Sequence, residues 1–233
     1  LLRRARPGAV PDAAIPVGGR AIDDVRRLVT TPYLLGIAAI IVVGQIIGGF
    51  MYSEQGKYVS GHYTSLADRA ALFARMEVWV NVLALVFQAG VVTLLSWRNS
   101  LVTSLSAMPL LVGSSFVVMA ISPAGGLLLV TQVLRRAADY GLGKPTREML
   151  FTVLNPESKF KSKSLIDVVV HRGTDAVAQW LYVPIATLGL AGVSWICVGL
   201  SLALLAATVY LGRAFERQRR APPIIGTAVG RRP

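Results

Sequence analysis

Apolar residues in this chain come in blocks of about twenty, with polar residues either between the blocks or spaced along one helical face. Each block is long enough, at about 1.5 Å per residue, to carry a helix across a hydrocarbon core about 30 Å thick. The pattern predicts six spans, at about 33–52, 76–97, 101–121, 126–150, 165–188 and 193–211. Fold class follows directly: an all-α membrane protein, with a bundle of six transmembrane helices over 32–212. Residues 1–31 read as a basic linker and 213–233 as a basic tail with no regular pattern. Near the linker's end, Ile22, Val25, Leu28 and Val29 recur at helical spacing, as in a short interfacial helix. Ser65 and Asp68 have capping-box spacing, so the second helix is expected to begin outside the membrane. Along it, Glu77, Asn81 and Gln88 share one face, while Trp79 and Trp97 sit where interfacial anchors belong.

Most polar side chains lying between long apolar runs are concentrated in residues 132–179. On an ideal helix Gln132, Arg135, Arg136, Asp139, Tyr140, Gly143 and Arg147 fall within an arc of roughly 140°. Asp167, His171 and Asp175 follow at intervals of four, with Arg172 beside them and Gln179 one turn further. Arg135, Arg136 and Asp139 fall near the centre of the fourth predicted span. A charge there costs about 2.5–3.5 kcal/mol on an insertion scale, so three together call for a reason beyond solubility. An internal pair, Arg135–Asp139 at i,i+4 or Arg136–Asp139 at i,i+3, would still leave one arginine over. Arg136 is expected to be that one, because Arg135 sits at the edge of the arc. The competing readings are a substrate or ion pathway and a set of structural salt bridges. For Gln45, Asn81 and Gln88 the simpler role is hydrogen bonding between helices.

Composition narrows the classes. Charged residues make up 15% of the chain against 54% hydrophobic, far below the roughly 25% charge of a soluble domain. The net charge of +12 resides mainly in tails and short loops, where topology places it, and no basic face with interleaved aromatics points to nucleic acid. The linker, the turn at Arg98, the loop with Lys159, Lys161 and Lys163, and the tail then share one side, which places both termini in the cytoplasm. Those three lysines serve as topology determinants or attract phosphate. One cysteine, Cys197, excludes an intrachain disulfide and a cysteine metal site, and two histidines, His62 and His171, are far apart. No phosphate-loop, zinc-protease or serine-hydrolase motif occurs, and no cofactor is implied. The chain opens LLRRARP, without Met or a signal-peptide pattern, which reads as the C-terminal part of something longer.

Asp139-Tyr140, the run KPTREML at 144–150, the spaced Glu157, Lys159, Lys161, Lys163, Ile166 and Asp167, and Arg172 together resemble the nucleotide transporter family. Its members are the ATP/ADP translocase-type carriers of the major facilitator superfamily; ARMEVWVNVLALVFQ at 74–88 is similar to their eighth helix. The resemblance implies twelve spans, of which these would be the last six, in the inner membrane of a bacterium, with exchange of ATP, ADP or a related nucleotide. Three places depart from the family pattern: Lys144 stands where an acid is common, Arg147 where a lysine is, and Gly173-Thr174-Asp175 where Gly-Lys-Ser is. The partners expected are a small anionic substrate, the lipid bilayer and the N-terminal six-helix half. Candidate substrate-binding residues are Arg135, Arg136, Asp139, Tyr140, Arg147, Lys159, Lys161, Lys163, Asp167, His171, Arg172 and Asp175. Alternatives are a facilitator for another small anion, a polytopic enzyme acting on a lipid phosphate with the same arginines, and a non-transporting membrane scaffold.

Overall fold

The structure, a computed structural model, describes residues 30–98, 101–153 and 170–220. The linker over 1–29, the lysine loop and the end of the tail lie outside the described residues, as do Lys159, Lys161, Lys163 and Asp167. Helix α1 is Pro32–His62, with proline in its first turn, where no amide is needed. It runs on past the expected end near residue 52, because nothing in 53–62 breaks it. Ser53 turns its hydroxyl back to the Gly49 carbonyl at 3.0 Å, and Glu54, Gln55 and Val59 stay buried while Lys57 and Ser60 face outward. Helix α2, Leu66–Arg98, starts as expected beside Ser65, whose Oγ accepts the Ala67 amide at 3.2 Å. Helix α3 is Leu101–Ile121, with Pro109 inside it.

The fourth predicted span is not one continuous α-helix. It divides into α4, Gly125–Ala138, a π-helical turn at Asp139–Gly143, and α5, Lys144–Leu150, followed by a 3-10 turn at Phe151–Val153. Pro145 supplies the reason, since it has no amide for the carbonyl four residues back and its ring crowds that carbonyl. Gly141 and Gly143 lie within the widened turn. Next come α6, His171–Ile185, a 3-10 turn at Ala186–Leu188, and α7, Gly189–Arg220. Gly189 has φ 68°, the left-handed conformation that a glycine adopts without a Cβ clash, and with the 3-10 turn it reverses the chain between them. Helix α7 continues through 213–220, which corrects the expectation of an irregular tail there: Leu211 and Phe215 remain buried against the bundle and hold the last turns.

Among the described residues, four segments are long and apolar enough to cross a membrane: Pro32–His62, Leu66–Gly90, Leu101–Ile121 and His171–Arg217. The last contains both α6 and α7. The expected fourth span is absent from that set because the π turn divides it and Arg135, Arg136 and Asp139 interrupt its apolar run. Helix α3 packs most extensively on α7, α1 packs on α6 and α7, and α2 packs on α4 and the π turn, while α4 also leans on α3. The core where these meet is built from Ile37, Phe50, Met51, Phe116, Met119, Leu204 and Leu211. Tyr33 of α1 ties in the far end of α5 by donating its hydroxyl to the Leu150 carbonyl at 2.8 Å.

Candidate functional site

The π turn determines which charges meet. In an unbroken helix Asp139 and Arg147 would be about 80° apart around the axis; one inserted residue reduces that to about 20° and puts them on one face, two turns apart. Arg147 Nη2 then donates to Asp139 Oδ1 at 3.1 Å. Neither of the pairs expected from simple helical spacing forms. Arg136 reaches across to α2 instead, with Nη2 at 2.8 Å from Glu77 Oε2, and Arg135 donates through Nε to Gln132 Oε1 at 3.0 Å. Among the described residues it is therefore Arg135, not Arg136, that has no carboxylate within ion-pair distance. A side chain on Gly48 of α1 would put a Cβ 3.1 Å from Arg135 Nη1, so that glycine leaves the guanidinium its room.

A cavity of about 390 Å³ opens between α1, the π turn, α5 and the start of α6. Its polar walls are Gln45, Asp139, Tyr140, Lys144, Arg147, Glu148 and His171. Lys144 holds its ammonium 4.2 Å from the centre of the Tyr140 ring, a cation–π contact between residues four apart. Behind the Asp139–Arg147 pair lies a void of about 20 Å³ against Leu105, Met108, Leu204 and Thr208, roughly the space of one water. The pair thus forms a partition between the open cavity and the apolar core. A Cβ at Gly141 would come within 2.5 Å of the Ala84 carbonyl and 2.7 Å of Phe87 Cβ, so this glycine lets the π turn seat directly on α2.

Along the α1–α6 seam the polar contacts form a ladder. Gln45 Nε2 donates to Asp175 Oδ1 at 3.1 Å, Ser53 to Gln179 Oε1 at 2.9 Å, and the Tyr182 hydroxyl to the buried Glu54 Oε1 at 2.7 Å. Lys57 Nζ lies 3.7 Å from the same Glu54 oxygen and 4.7 Å from the centre of the Tyr182 ring.

Of the residues singled out from the sequence, Asp139, Tyr140, Arg147 and His171 line the one cavity, and Asp175 touches its edge through Gln45. Arg136 stands alongside, with its guanidinium carbon 5.9 Å from the Tyr140 ring centre, while Arg172 is exposed and not part of the cavity wall. Lys144, Glu148 and Glu77 were not among the candidate residues. The Tyr140–Lys144 spacing of four was a readable signal for the first, and the shared face of Glu77 and Asn81 for the third. Nothing local in the sequence ties Glu148 to Gln45. Among the described residues no group of three or more His, Cys, Asp or Glu side chains is placed to hold a metal ion.

No family model matches the chain and no solved structure matches it. A relative among curated proteins is the ADP,ATP carrier protein 1 of Chlamydia pneumoniae, 26% identical over 193 residues. The match takes in 72% of this chain and 37% of that protein, so the chain spans little more than a third of the carrier's length. The apolar helices and this likeness to part of a carrier together support an integral membrane protein.

Proposed function

We propose that this chain is the C-terminal, six-span half of a major-facilitator-like carrier that moves a nucleotide-type anion by alternating access. The observation that carries the reading is the cavity of about 390 Å³, where Lys144, Arg147 and His171 converge inside an apolar bundle. Its size suits a small-molecule site, and an arginine fork beside a lysine suits phosphate oxygens. The helix pairings support the division into two inverted triplets. If the first, second and third predicted spans exchange roles with the fourth, fifth and sixth, the pair α1·α6 becomes α4·α2, α1·α7 becomes α4·α3, and α3·α7 maps onto itself. Three spans separate the repeats, so their chain directions are opposite, as in inverted-repeat carriers.

In this arrangement the face bearing Gln45, Glu77, Arg136, Tyr140, Lys144 and Asp175 turns toward the N-terminal half and the substrate. Lys159, Lys161 and Lys163 are assigned to drawing anions to the cytoplasmic side, and Arg172 is exposed next to His171 of the cavity wall. Both termini lie in the cytoplasm of a bacterium, at its inner membrane. Anion arrival competes with Asp139 for Arg147, so binding substrate loosens the partition behind the cavity. The experiment is uptake of labelled ATP, ADP and phosphate into proteoliposomes holding the full-length protein, with and without nucleotide inside. Nucleotide uptake that rises with internal nucleotide is the expected result; uptake of none of the three anions would overturn the reading.

A further inference from the structure

The other side of the α2–α4 contact has a different character. An apolar groove of about 390 Å³ runs there between Leu72, Met76, Trp79 and Leu83 of α2 and Leu129, Val130, Val133 and Leu134 of α4, with Arg75 also in its wall. At 100° per residue, Arg75 and Trp79 lie roughly 160–200° around α2 from Glu77, so the groove and the Arg136–Glu77 pair are on opposite sides of the helix. We propose that this groove binds one anionic glycerophospholipid, an acyl chain lying against Trp79 and Leu83 and the headgroup phosphate on Arg75.

Four observations select this occupant. Arg75 is exposed and, among the described residues, has no carboxylate within ion-pair distance, so its charge is available to a phosphate. It lies about 35 Å along α2 from the Arg98 end, close to the thickness of a hydrocarbon core, which puts its guanidinium at headgroup level. From Arg75 to Leu83 the groove runs about 12 Å along α2, within the depth of one leaflet. Trp79, 61% exposed, occupies the interfacial position that indole side chains favour. The proposal needs only that α2 and α4 lie in a bilayer and is independent of what the carrier moves.

The test uses the full-length protein with Trp79 as its only tryptophan, all others, including Trp97, Trp180 and Trp195, being replaced by Phe. It is reconstituted with a few mole per cent of dibromo-phosphatidylglycerol or of dibromo-phosphatidylcholine in otherwise identical vesicles, and bromine quenching of Trp79 is measured. Quenching by the anionic lipid should reflect about fivefold local enrichment over the zwitterionic one, the amount a single basic residue gives at a membrane surface. Arg75→Gln should remove that preference while leaving quenching by phosphatidylcholine unchanged, and Val133→Phe should weaken quenching by both lipids. Equal quenching by the two lipids in the parent would overturn the proposal, as would a preference that survives Arg75→Gln. Absence of quenching by either lipid would also overturn it, showing that protein covers the groove.

Discussion

The α3–α7 seam and the α2–α4 seam are two ways of joining helices in the same solvent. In the first, closeness comes from small residues: a Cβ on Gly212 would sit 2.9 Å from Val102 Cα, and one on Gly113 3.2 Å from Ser201 Cβ. Val112, Phe116, Met119, Leu204 and Leu211 fill the space beside them, and van der Waals packing is enough, as lipid offers helices no hydrophobic reason to associate. The second seam also uses a glycine, Gly141 against Ala84, but adds the Arg136–Glu77 pair and a π turn that presents Asp139 to Arg147. Charges at that depth would be costly as simple fasteners, since the α3–α7 seam shows that the bundle packs without them. We therefore place the proposed substrate path at the polar seam.

The comparison breaks most visibly at Arg147. Arg147→Gln should reduce nucleotide uptake by the full-length protein at least tenfold, since losing a charged contact to a bound anion costs about 2 kcal/mol or more. Arg147→Lys should recover little, because an ammonium lacks the planar fork. If the pair with Asp139 is only structural, the double variant Asp139→Asn/Arg147→Gln would transport nearly normally, and uptake normalised to membrane protein decides between the two.

The apolar seam should respond in stability. Gly212→Leu forces a side chain against the Val102 backbone and should lower the stability of the folded bundle by about 1–3 kcal/mol. Thermal unfolding in detergent measures this; the molecules still folded should retain their affinity for substrate, whereas Gly141→Leu should impair both stability and uptake.

A smaller difference separates the neighbouring arginines. Arg136→Gln leaves behind a Glu77 side chain that is 48% exposed, so water can replace the lost partner and folded protein yield should fall by less than about twofold. Arg135→Gln removes a half-buried cation with no carboxylate among the described residues, so its yield should hold or rise, and any loss should appear in uptake. Equal uptake by both variants and the parent would remove this face from the pathway.

The α1–α6 ladder should give the mildest response. Gln45→Leu removes one hydrogen bond to the exposed Asp175, and interhelical bonds in membranes average about 0.6 kcal/mol. A shift of a degree or two in thermal unfolding is expected; a large fall in uptake without that small shift would move Gln45 from a structural fastener to a substrate contact.

The sequence alone determined what depends on counting. Apolar block length set the bounds of α3 at 101–121, and the i,i+4 rows put Asp139, Tyr140, Arg147 and His171 among the polar candidates. It did not show where helices end when no breaker intervenes, so α1 ran on to His62 and α7 to Arg220, held by buried Val59 and Phe215. Gly141, Gly143 and Pro145 carried a readable sign of an irregular turn, but whether Pro145 would produce a kink or a π insertion is decided by what packs alongside. Here that is α2, against which Gly141 is seated, and the inserted residue rotates Arg147 onto Asp139 and leaves Arg136 to Glu77. Charge pairing in a bundle depends on rotations of about 100° and on neighbours 50 or more residues away in the chain, and only the assembled tertiary structure sets either.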